Sequence, residues 1–256
     1  MIVPVTSENY PLFRQACAYE RIFGSKCLCS YDCFADSGAY SFWLGLAGSH
    51  PACAMQLSGG VLSCSSDGSL PPRELADFIR AHGVTELDSN EVECRAVQAI
   101  LGGALDSSHY MYYEERSCED APFPVEPCRD LHDAFSVLQR SHEFYRTHYR
   151  FEPWAADLSA RLSGGSAELY TVELDGSLIG TGSIISMDET VGVLAAIAVV
   201  PEYRHRGIGL GISRFLTRRV LSLGKKPCLI AGYDEVMALY RLVGYTPGAR
   251  WGELYP

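Results

Sequence analysis

The chain has 256 residues, and its shares of apolar (47%) and charged (20%) residues are those of an ordinary globular protein, which excludes a disordered or collagen-like chain. This length corresponds to one large domain or two small ones, and no run of about 18 apolar residues predicts a transmembrane helix. The net charge of −10 is uneven, because residues 1–125 carry sixteen Asp/Glu but only seven Lys/Arg. An acidic half argues against general nucleic-acid binding and gives a first indication of two units.

The first residues, MIVPVTSENY, lack the basic and apolar segments of a signal peptide, so we expect a cytoplasmic protein with reduced thiols. The densest cysteine cluster is Cys27, Cys29 and Cys33. It could contribute to a zinc site, but it has no paired Cys-x-x-Cys or histidine partner. We therefore predict no metal site and expect these cysteines to be small buried apolar residues. A redox-active thiol is the alternative, although no basic cluster flanks one.

In the first half, hydrophobic patterns and turn residues predict hairpin strands followed by helix, strand, helix and strand. Pro71 and Pro72 precede the first helix, and Gly83 ends it. The predicted elements are strands at Ala39–Leu46, Ala52–Leu57 and Gly60–Ser65, a helix from Arg73, a strand at Val84–Leu87, a helix at Glu91–Leu101 and a strand at Tyr110–Tyr113. The predicted buried face of the second helix consists of Val92, Ala96, Val97 and Ile100.

The proline-rich segment Cys118–Pro127 predicts a linker, after which the same kind of pattern starts again. The near-continuous apolar run Val191–Val200 predicts a strand covered on both faces. The predicted elements are helices at Leu131–Gln139 and Trp154–Leu162, strands at Leu169–Leu174, Ser177–Ser186 and Val191–Val200, a helix at Gly209–Leu223, a strand at Cys228–Ala231, a helix at Glu235–Leu242 and a strand at Tyr245–Leu254. The repeated order predicts a structural duplication, with domains at 1–120 and 128–256 and a linker at 121–127.

The segment from Val199 to Gly209 carries the clearest chemical signal. A buried strand ends at Pro201, a basic loop containing Gly207 and Gly209 follows, and a helix then begins. Glycines let the backbone approach a ligand closely, and the first helical turn has N–H groups without partners. The helix dipole favours negative charge at this end, so the loop predicts a phosphate-binding site.

The spacing Arg-x-x-Gly-x-Gly resembles the acetyl-CoA pyrophosphate loop of the GNAT-type N-acetyltransferases, which commonly read V-x-P-x-x-R-x-x-G-x-G. The matching residues are Val199, Pro201, Arg204, Gly207 and Gly209. A second stretch, from Ala238 to Tyr245, resembles the family's LY-x-x-x-G-F/Y element about thirty residues later. The resemblance covers about residues 126–256, which is one family domain in length.

The resemblance implies an α/β fold of two tandem GNAT-like domains, each with a mixed, mostly antiparallel twisted sheet flanked by helices. It implies acetyl-CoA as cosubstrate, bound where the fourth and fifth strands of the second domain splay apart. The strand residues expected to pair with the pantetheine arm are Ile197, Ala198 and Val199. The residues expected to meet the pyrophosphate are Arg204, His205, Arg206, Gly207, Ile208, Gly209 and Leu210.

The resemblance also implies that Tyr240 is the general acid toward the departing CoA thiolate, a role that a phenol can fill. The alternative is a core tyrosine on an amphipathic helix. Two positions depart from the family pattern: Tyr233 stands where an Asn is common, and the strand Leu194–Ala198 has no carboxylate to act as general base. Candidate bases elsewhere in this half are Glu168, Glu173, Asp188 and Glu189.

The first half has no comparable loop, since Ser65–Pro72 contains an Asp, two prolines and no arginine. Proline also removes N–H donors at the helix start, so we predict a degenerate first domain and one CoA per chain. The function expected is acetyl transfer to a primary amine of a small molecule or peptide, by a monomer or homodimer without nucleic-acid or membrane partners. The alternative is a non-catalytic CoA-binding sensor or interaction module.

Overall fold

The computed structural model describes all 256 residues and shows a mixed α/β protein that divides into two compact units. The N-terminal unit consists of Met1–Tyr110, Ile230–Gly232 and Gly248–Pro256. The C-terminal unit consists of Met111–Leu229 and Tyr233–Pro247. The bounds of these units differ from the domain ranges expected from the sequence. In particular, the last nine residues of the chain belong to the N-terminal unit.

The N-terminal unit contains a sheet in the order β1-β2-β3-β4-β5-β12-β6, in which β4 and β5 run parallel. Its strands are β1 (Ile2–Pro4), β2 (Ser41–Ala47), β3 (His50–Ser58), β4 (Val61–Ser66), β5 (Glu86–Asn90), most of β6 (Ala104–Tyr112) and most of β12 (Thr246–Tyr255). Its helices are α1 (Tyr10–Cys17), α2 (Arg21–Phe34), α3 (Pro72–His82) and α4 (Glu91–Leu101).

Alternation along the strands of the N-terminal unit separates two cores. Phe13 of α1 and Cys27 of α2 pack with Phe42, Leu44 and Ala54 on one face of the sheet. The other face carries a second cluster with α3 and α4, built on Leu75, Ile79, Leu87, Cys94, Val97 and Leu254. Side chains of successive strand residues therefore point to α1 and α2 or to α3 and α4 in turn.

The C-terminal unit contains a sheet in the order β7-β8-β9-β10-β11, antiparallel except for the β10–β11 pair. Its strands are β7 (Glu126–Pro127), β8 (Glu168–Leu174), β9 (Ser177–Met187), β10 (Val191–Val199) and β11 (Lys226–Ala231). Its helices are α5 (Leu131–Ser141), α6 (Glu143–His148), α7 (Phe151–Ser163), α8 (Ile208–Ser222) and α9 (Asp234–Val243). No helix has both the length and the apolar character needed to cross a bilayer.

Helix α8 lies unusually close to the sheet because β9 presents glycines to it. A Cβ on Gly182 would meet the side chain of Ile212 at 2.6 Å and that of Leu216 at 2.9 Å. A Cβ on Gly192 of β10 would meet Val220 at 2.7 Å. This close packing fixes the first turn of α8 beside the end of β10, where the candidate site lies.

The fold class expected from the sequence is confirmed, and the duplication is fuller than predicted. Both halves run strand, helices, three antiparallel strands, helix, strand, helix, strand. Three helices were not predicted: α1 and α2, which precede Ala39, and the six-residue α6. The predicted buried face of α4 is confirmed at Val97, which is fully buried, but wrong at Val92, which is 79% exposed, whereas Glu93 and Cys94 are buried.

Candidate cofactor site

Strand β10 has one free edge in its second half. Its parallel pairing with β11 consists of three residue pairs and ends at Val193 and Cys228. Val191–Leu194 are buried, but Ala195–Val199 are only half-buried, so the expectation of a strand covered on both faces holds for its first half alone. The half-buried part includes Ile197, Ala198 and Val199, the strand residues that the sequence predicts to pair with an extended ligand.

A β-bulge interrupts β10 where this edge opens. The register to β9 shifts between Ala195 and Ala198, and Ala196 between them has a φ of +52°. A left-handed conformation costs a non-glycine residue about 1–2 kcal/mol, so the surrounding ladder must hold it in place. The bulge turns one backbone segment of β10 out of the regular pattern, where its N–H could polarise a thioester carbonyl.

The loop after β10 forms a backbone concavity. Pro201–Tyr203 make one 3₁₀ turn, and His205 (φ +58°) and Gly207 (φ +78°) are both left-handed before α8 begins at Ile208. The N–H groups from His205 to Leu210 have no acceptor within the protein, whereas Gly211 N–H donates to the Gly207 carbonyl at 2.9 Å. Several unpartnered N–H groups at a helix N-terminus form an anion site.

The basic side chains of the loop are not all directed at this concavity. Arg204 donates from Nε to the Val199 carbonyl at 3.1 Å and from its guanidinium to the Ser141 carbonyl. Its side chain therefore braces the base of the loop, and its backbone N–H already donates to the Pro201 carbonyl at 3.2 Å, so Arg204 offers a phosphate neither group. The Arg206 guanidinium lies over the Tyr203 ring at 5.1 Å, and His205 is exposed.

Tyr240 lies on the inner face of α9 and is 8% exposed. Its ring centroid is 5.8 Å from that of Tyr245, and its hydroxyl makes no hydrogen bond. Burial, with a smaller contribution from Tyr145, raises the pKa of Tyr240 well above its usual value. The phenol is therefore protonated at neutral pH and able to donate, but its environment does not make it a stronger acid than free tyrosine.

Two residues near Tyr240 and Arg204 were missed by sequence reasoning. Tyr145 of α6 lies close enough to Tyr240 to interact electrostatically, and burial and Tyr149 raise the pKa of Tyr145 to about 12. Ser141, whose carbonyl accepts from Arg204, has a buried hydroxyl without a hydrogen-bond partner. The only signal for this segment was its density of aromatic residues between Phe144 and Phe151.

The candidate bases suggested by the sequence lie away from the bulge. Arg219 binds the Glu168 carboxylate with both Nε (2.8 Å) and its terminal nitrogen (2.7 Å), and this pairing lowers the pKa of Glu168. Asp188 caps the β9–β10 turn by accepting from Val191 N–H at 2.9 Å, at the opposite end of β10 from the loop. Glu173 and Glu189 are exposed. None of these carboxylates is placed beside the Ala196 bulge.

The equivalent loop of the N-terminal unit already contains an anion of its own. The Asp67 carboxylate accepts from the Ser69 N–H at 2.9 Å, and Gly68 N–H donates to the Ser66 hydroxyl at 3.0 Å. Although partial burial acts to raise the pKa of Asp67, hydrogen bonds from Ser69 and His50 lower it. The N–H groups of Gly68 and Ser69, which could otherwise receive a phosphate, are therefore taken.

A second carboxylate closes the diverging strands of the same unit. Pairing between β4 and β5 ends at Ser63 and Asp88, after three residue pairs. Beyond that point Glu93, which is 5% exposed, accepts hydrogen bonds from the hydroxyl groups of Ser66 (2.9 Å) and Ser89. Glu93 thus bridges the two strand ends, where an extended ligand would have to enter.

The cysteine cluster lies within helix α2. Cys27 is fully buried and Cys29 is 2% exposed, while Cys33 is half-buried. All ten cysteines are free thiols. Cys27 belongs to the apolar core beneath α1 and α2, which agrees with its interpretation as a small apolar residue.

Comparison with known families identifies the second half of the chain. Residues 127–245 match the Acetyltransferase (GNAT) family. The match includes β8 to β11, the loop at Gly207 and helix α9, so the C-terminal half is a GNAT-family domain. A comparison with curated proteins finds no match.

Solved structures with the same fold extend over the whole chain. A tandem GNAT protein from the clavulanic acid biosynthesis pathway, solved without acetyl-CoA, matches with a TM-score of 0.63 and 13% identity, covering 99% of this chain and 97% of its own. A GCN5-related N-acetyltransferase from Sphaerobacter thermophilus gives 0.64 and 13%, covering 99% and 94%. A Drosophila protein gives 0.64 and 14%, covering 100% and 98%. The N-terminal half therefore shares the GNAT-like fold.

Proposed function

We propose that this protein is a cytoplasmic, acetyl-CoA-dependent N-acetyltransferase whose C-terminal unit holds the only cofactor site. The observation that carries the proposal is the row of unpartnered N–H groups from His205 to Leu210, directly after a strand with a free edge. Backbone N–H groups and a helix dipole suit a pyrophosphate, and the free edge of Ile197–Val199 suits an amide-containing arm.

In the proposed reaction the neutral amine attacks the thioester carbonyl carbon, and the carbon–sulfur bond breaks. A β10 backbone N–H at the bulge stabilises the oxyanion, and Tyr240 donates its phenolic proton to the departing thiolate. The amine proton leaves to water, because no carboxylate of the described site lies beside the bulge. Holding amine and thioester together supplies much of the rate gain.

The proposed acceptor is a primary amine on a small molecule or peptide, bound without nucleic acid or membrane by a monomer or homodimer. The absence of a strand carboxylate favours the second candidate, a non-catalytic CoA-binding sensor or interaction module. Incubation with acetyl-CoA and a panel of amines, followed by detection of free thiol, distinguishes the two. Amine-dependent thiol release supports the enzyme, whereas CoA binding without release by any amine supports the sensor.

A further inference from the structure

A row of polar side chains crosses the N-terminal sheet beneath α2. Gln56 of β3 lies opposite Ser63 of β4, Ser63 lies beside Asp88 of β5, and Asp88 lies opposite Glu253 of β12. Side chains in register across adjacent strands project from the same face of a sheet. Glu86, two residues before Asp88, projects from that face as well.

Three carboxylates of this row converge on one point. Glu86, Asp88 and Glu253 can each place a carboxylate oxygen within 4.8 Å of the other two. Asp88 is buried, while Glu86 and Glu253 are half-buried, so the cluster has one enclosed side and one side open to solvent. The Ser63 hydroxyl donates to Asp88 Oδ2 at 3.2 Å, which places a further oxygen beside the cluster.

Two buried oxygen atoms in the same row have no hydrogen-bond donor. They are Oδ1 of Asp88, which is 7% exposed, and Oε1 of Gln56, which is 6% exposed. Buried acceptors normally have a partner, because leaving one unpaired costs about 1–3 kcal/mol. Both atoms are acceptors, so the missing partner is a group that carries positive charge or donates hydrogen bonds.

The row also has more negative than positive charge. Three carboxylates face one cation, Lys26 of α2, whose ammonium group lies 4.8 Å from the centre of the Phe23 ring. Lys26 makes no ion pair with the cluster, but its charge lowers the pKa of Asp88. With all three carboxylates ionised, they and Lys26 carry a charge of about −2. One divalent cation would balance it.

We propose that Glu86, Asp88 and Glu253 form a binding site for a hard divalent cation, calcium first, at the junction of β5 and β12. Carboxylate, hydroxyl and amide oxygens are the ligands that calcium prefers, at about 2.3–2.6 Å from the ion. Oxygens on opposite sides of such an ion are about 5 Å apart, so three carboxylate oxygens within 4.8 Å of one another can contact the same calcium ion, with water completing its coordination. The bound ion fastens the C-terminal strand to β5.

The proposal is tested on the full-length protein after treatment with EDTA and dialysis. Thermal unfolding is followed while CaCl₂ or MgCl₂ is added at pH 7.5, with KCl keeping the ionic strength constant. We expect Tm to rise with saturation at about 1 mM calcium or below, and less with magnesium. Terbium should bind in place of calcium and give luminescence sensitised by Trp251, which lies two residues from Glu253 on β12.

Glu86→Gln and Asp88→Asn keep the shape of the side chains and should remove both the Tm shift and the terbium signal. Asp77→Asn, on the exposed side of α3 in the same unit, is the matched control and should leave both unchanged. A wild-type Tm that does not respond to about 10 mM calcium or magnesium would overturn the proposal. So would a response that is equal in Glu86→Gln and wild type, because surface binding of ions would then explain it.

Discussion

In both units two parallel strands separate after a short paired segment, but the two units differ in what lies between the separated strands. In each, two parallel strands pair over three residues and separate, after Ser63 and Asp88 in the N-terminal unit and after Val193 and Cys228 in the C-terminal unit. Beyond that point β4 has three more residues, whereas β10 has six and a bulge. The shared register shows that the separation of the strands belongs to the fold, and the difference lies in what occupies the gap.

In the N-terminal unit, carboxylates of the protein occupy the places that the C-terminal unit leaves open. Asp67 accepts from the Ser69 N–H, the Ser66 hydroxyl accepts from the Gly68 N–H, and Glu93 joins the strand ends. In the C-terminal unit, the corresponding N–H groups from His205 to Leu210 have no acceptor within the protein. The N-terminal unit thus contains its own anion, whereas the C-terminal unit must bind one from solution. This difference is the physical basis for proposing a single cofactor site.

The largest effect should follow from Gly207→Glu. The new carboxylate would stand where the pyrophosphate approaches, so CoA affinity should fall by about 1000-fold or more, or about 4 kcal/mol. Gly68→Glu in the N-terminal loop is the matched control, since both glycines have positive φ (+78° and +80°) and open space around a Cβ. Both variants should lose similar stability, about 1–2 kcal/mol, but only Gly207→Glu should lose binding by calorimetry. Equal affinities in the two variants would remove the loop from the cofactor site.

Tyr240→Phe should lower turnover by about 100-fold while CoA affinity changes only a few-fold, because the ring and its packing remain and only the proton donor is lost. Tyr245→Phe serves as the control. It removes a buried hydrogen bond of 2.9 Å to Thr217 and should lower stability by about 1 kcal/mol without affecting turnover. Steady-state rates with saturating amine compare the turnover of the two variants. Full activity in Tyr240→Phe would make Tyr240 a core residue.

Glu93→Leu should lower the free energy of unfolding by about 1–3 kcal/mol, because the hydroxyl groups of Ser66 and Ser89 lose their acceptor. Glu93→Gln, which retains one acceptor oxygen, should cost less. Neither variant should gain a second CoA, since the Asp67 carboxylate still lies in the loop and accepts from the Ser69 N–H. Urea unfolding measures the first effect, and a CoA titration of Glu93→Leu that reached two per chain would show that Glu93 alone blocks the N-terminal unit.

The smallest effect concerns pH in the presence of EDTA. Burial, Asp88 and Glu253 raise the pKa of Glu86 to about 7, and burial raises that of Asp88 to about 6; the other groups facing them are Lys26 and Tyr255. The folded state therefore holds protons that the unfolded state releases near pH 4, so stability should fall as pH rises from about 4 to about 7. Urea unfolding at pH 5 and pH 7.5 should show a smaller fall in Glu86→Gln than in wild type. An identical fall would mean that Glu86 titrates normally.

Periodic patterns and turn residues predicted most of the fold, because the strands alternate and glycine or proline marks their ends. Helix α4 was predicted at Glu91–Leu101 and found there. Its buried face was predicted correctly at Val97 but wrongly at Val92. Glu93 turns inward to accept hydrogen bonds from two serines, which a hydropathy pattern cannot anticipate. Helix α2 was missed for a related reason: its buried face carries serines and cysteines in place of a clear apolar stripe.

The candidate site was predictable only where its features are encoded in consecutive residues. The loop from Pro201 to Gly209 has a local signature, since glycine spacing and a helix start are both written in consecutive residues. The bulge at Ala196, the bracing contacts of Arg204 and the nearness of Tyr145 to Tyr240 depend on pairings between distant segments. No spacing along the chain encodes those contacts.

The central claim, that one unit binds the cofactor and the other contains its own anions, is tested most directly by counting CoA molecules on the intact chain. Native mass spectrometry in excess CoA should show one CoA per chain for wild type and Gly68→Glu, and none for Gly207→Glu. Two CoA molecules per chain, or one that persists in Gly207→Glu, would contradict the account.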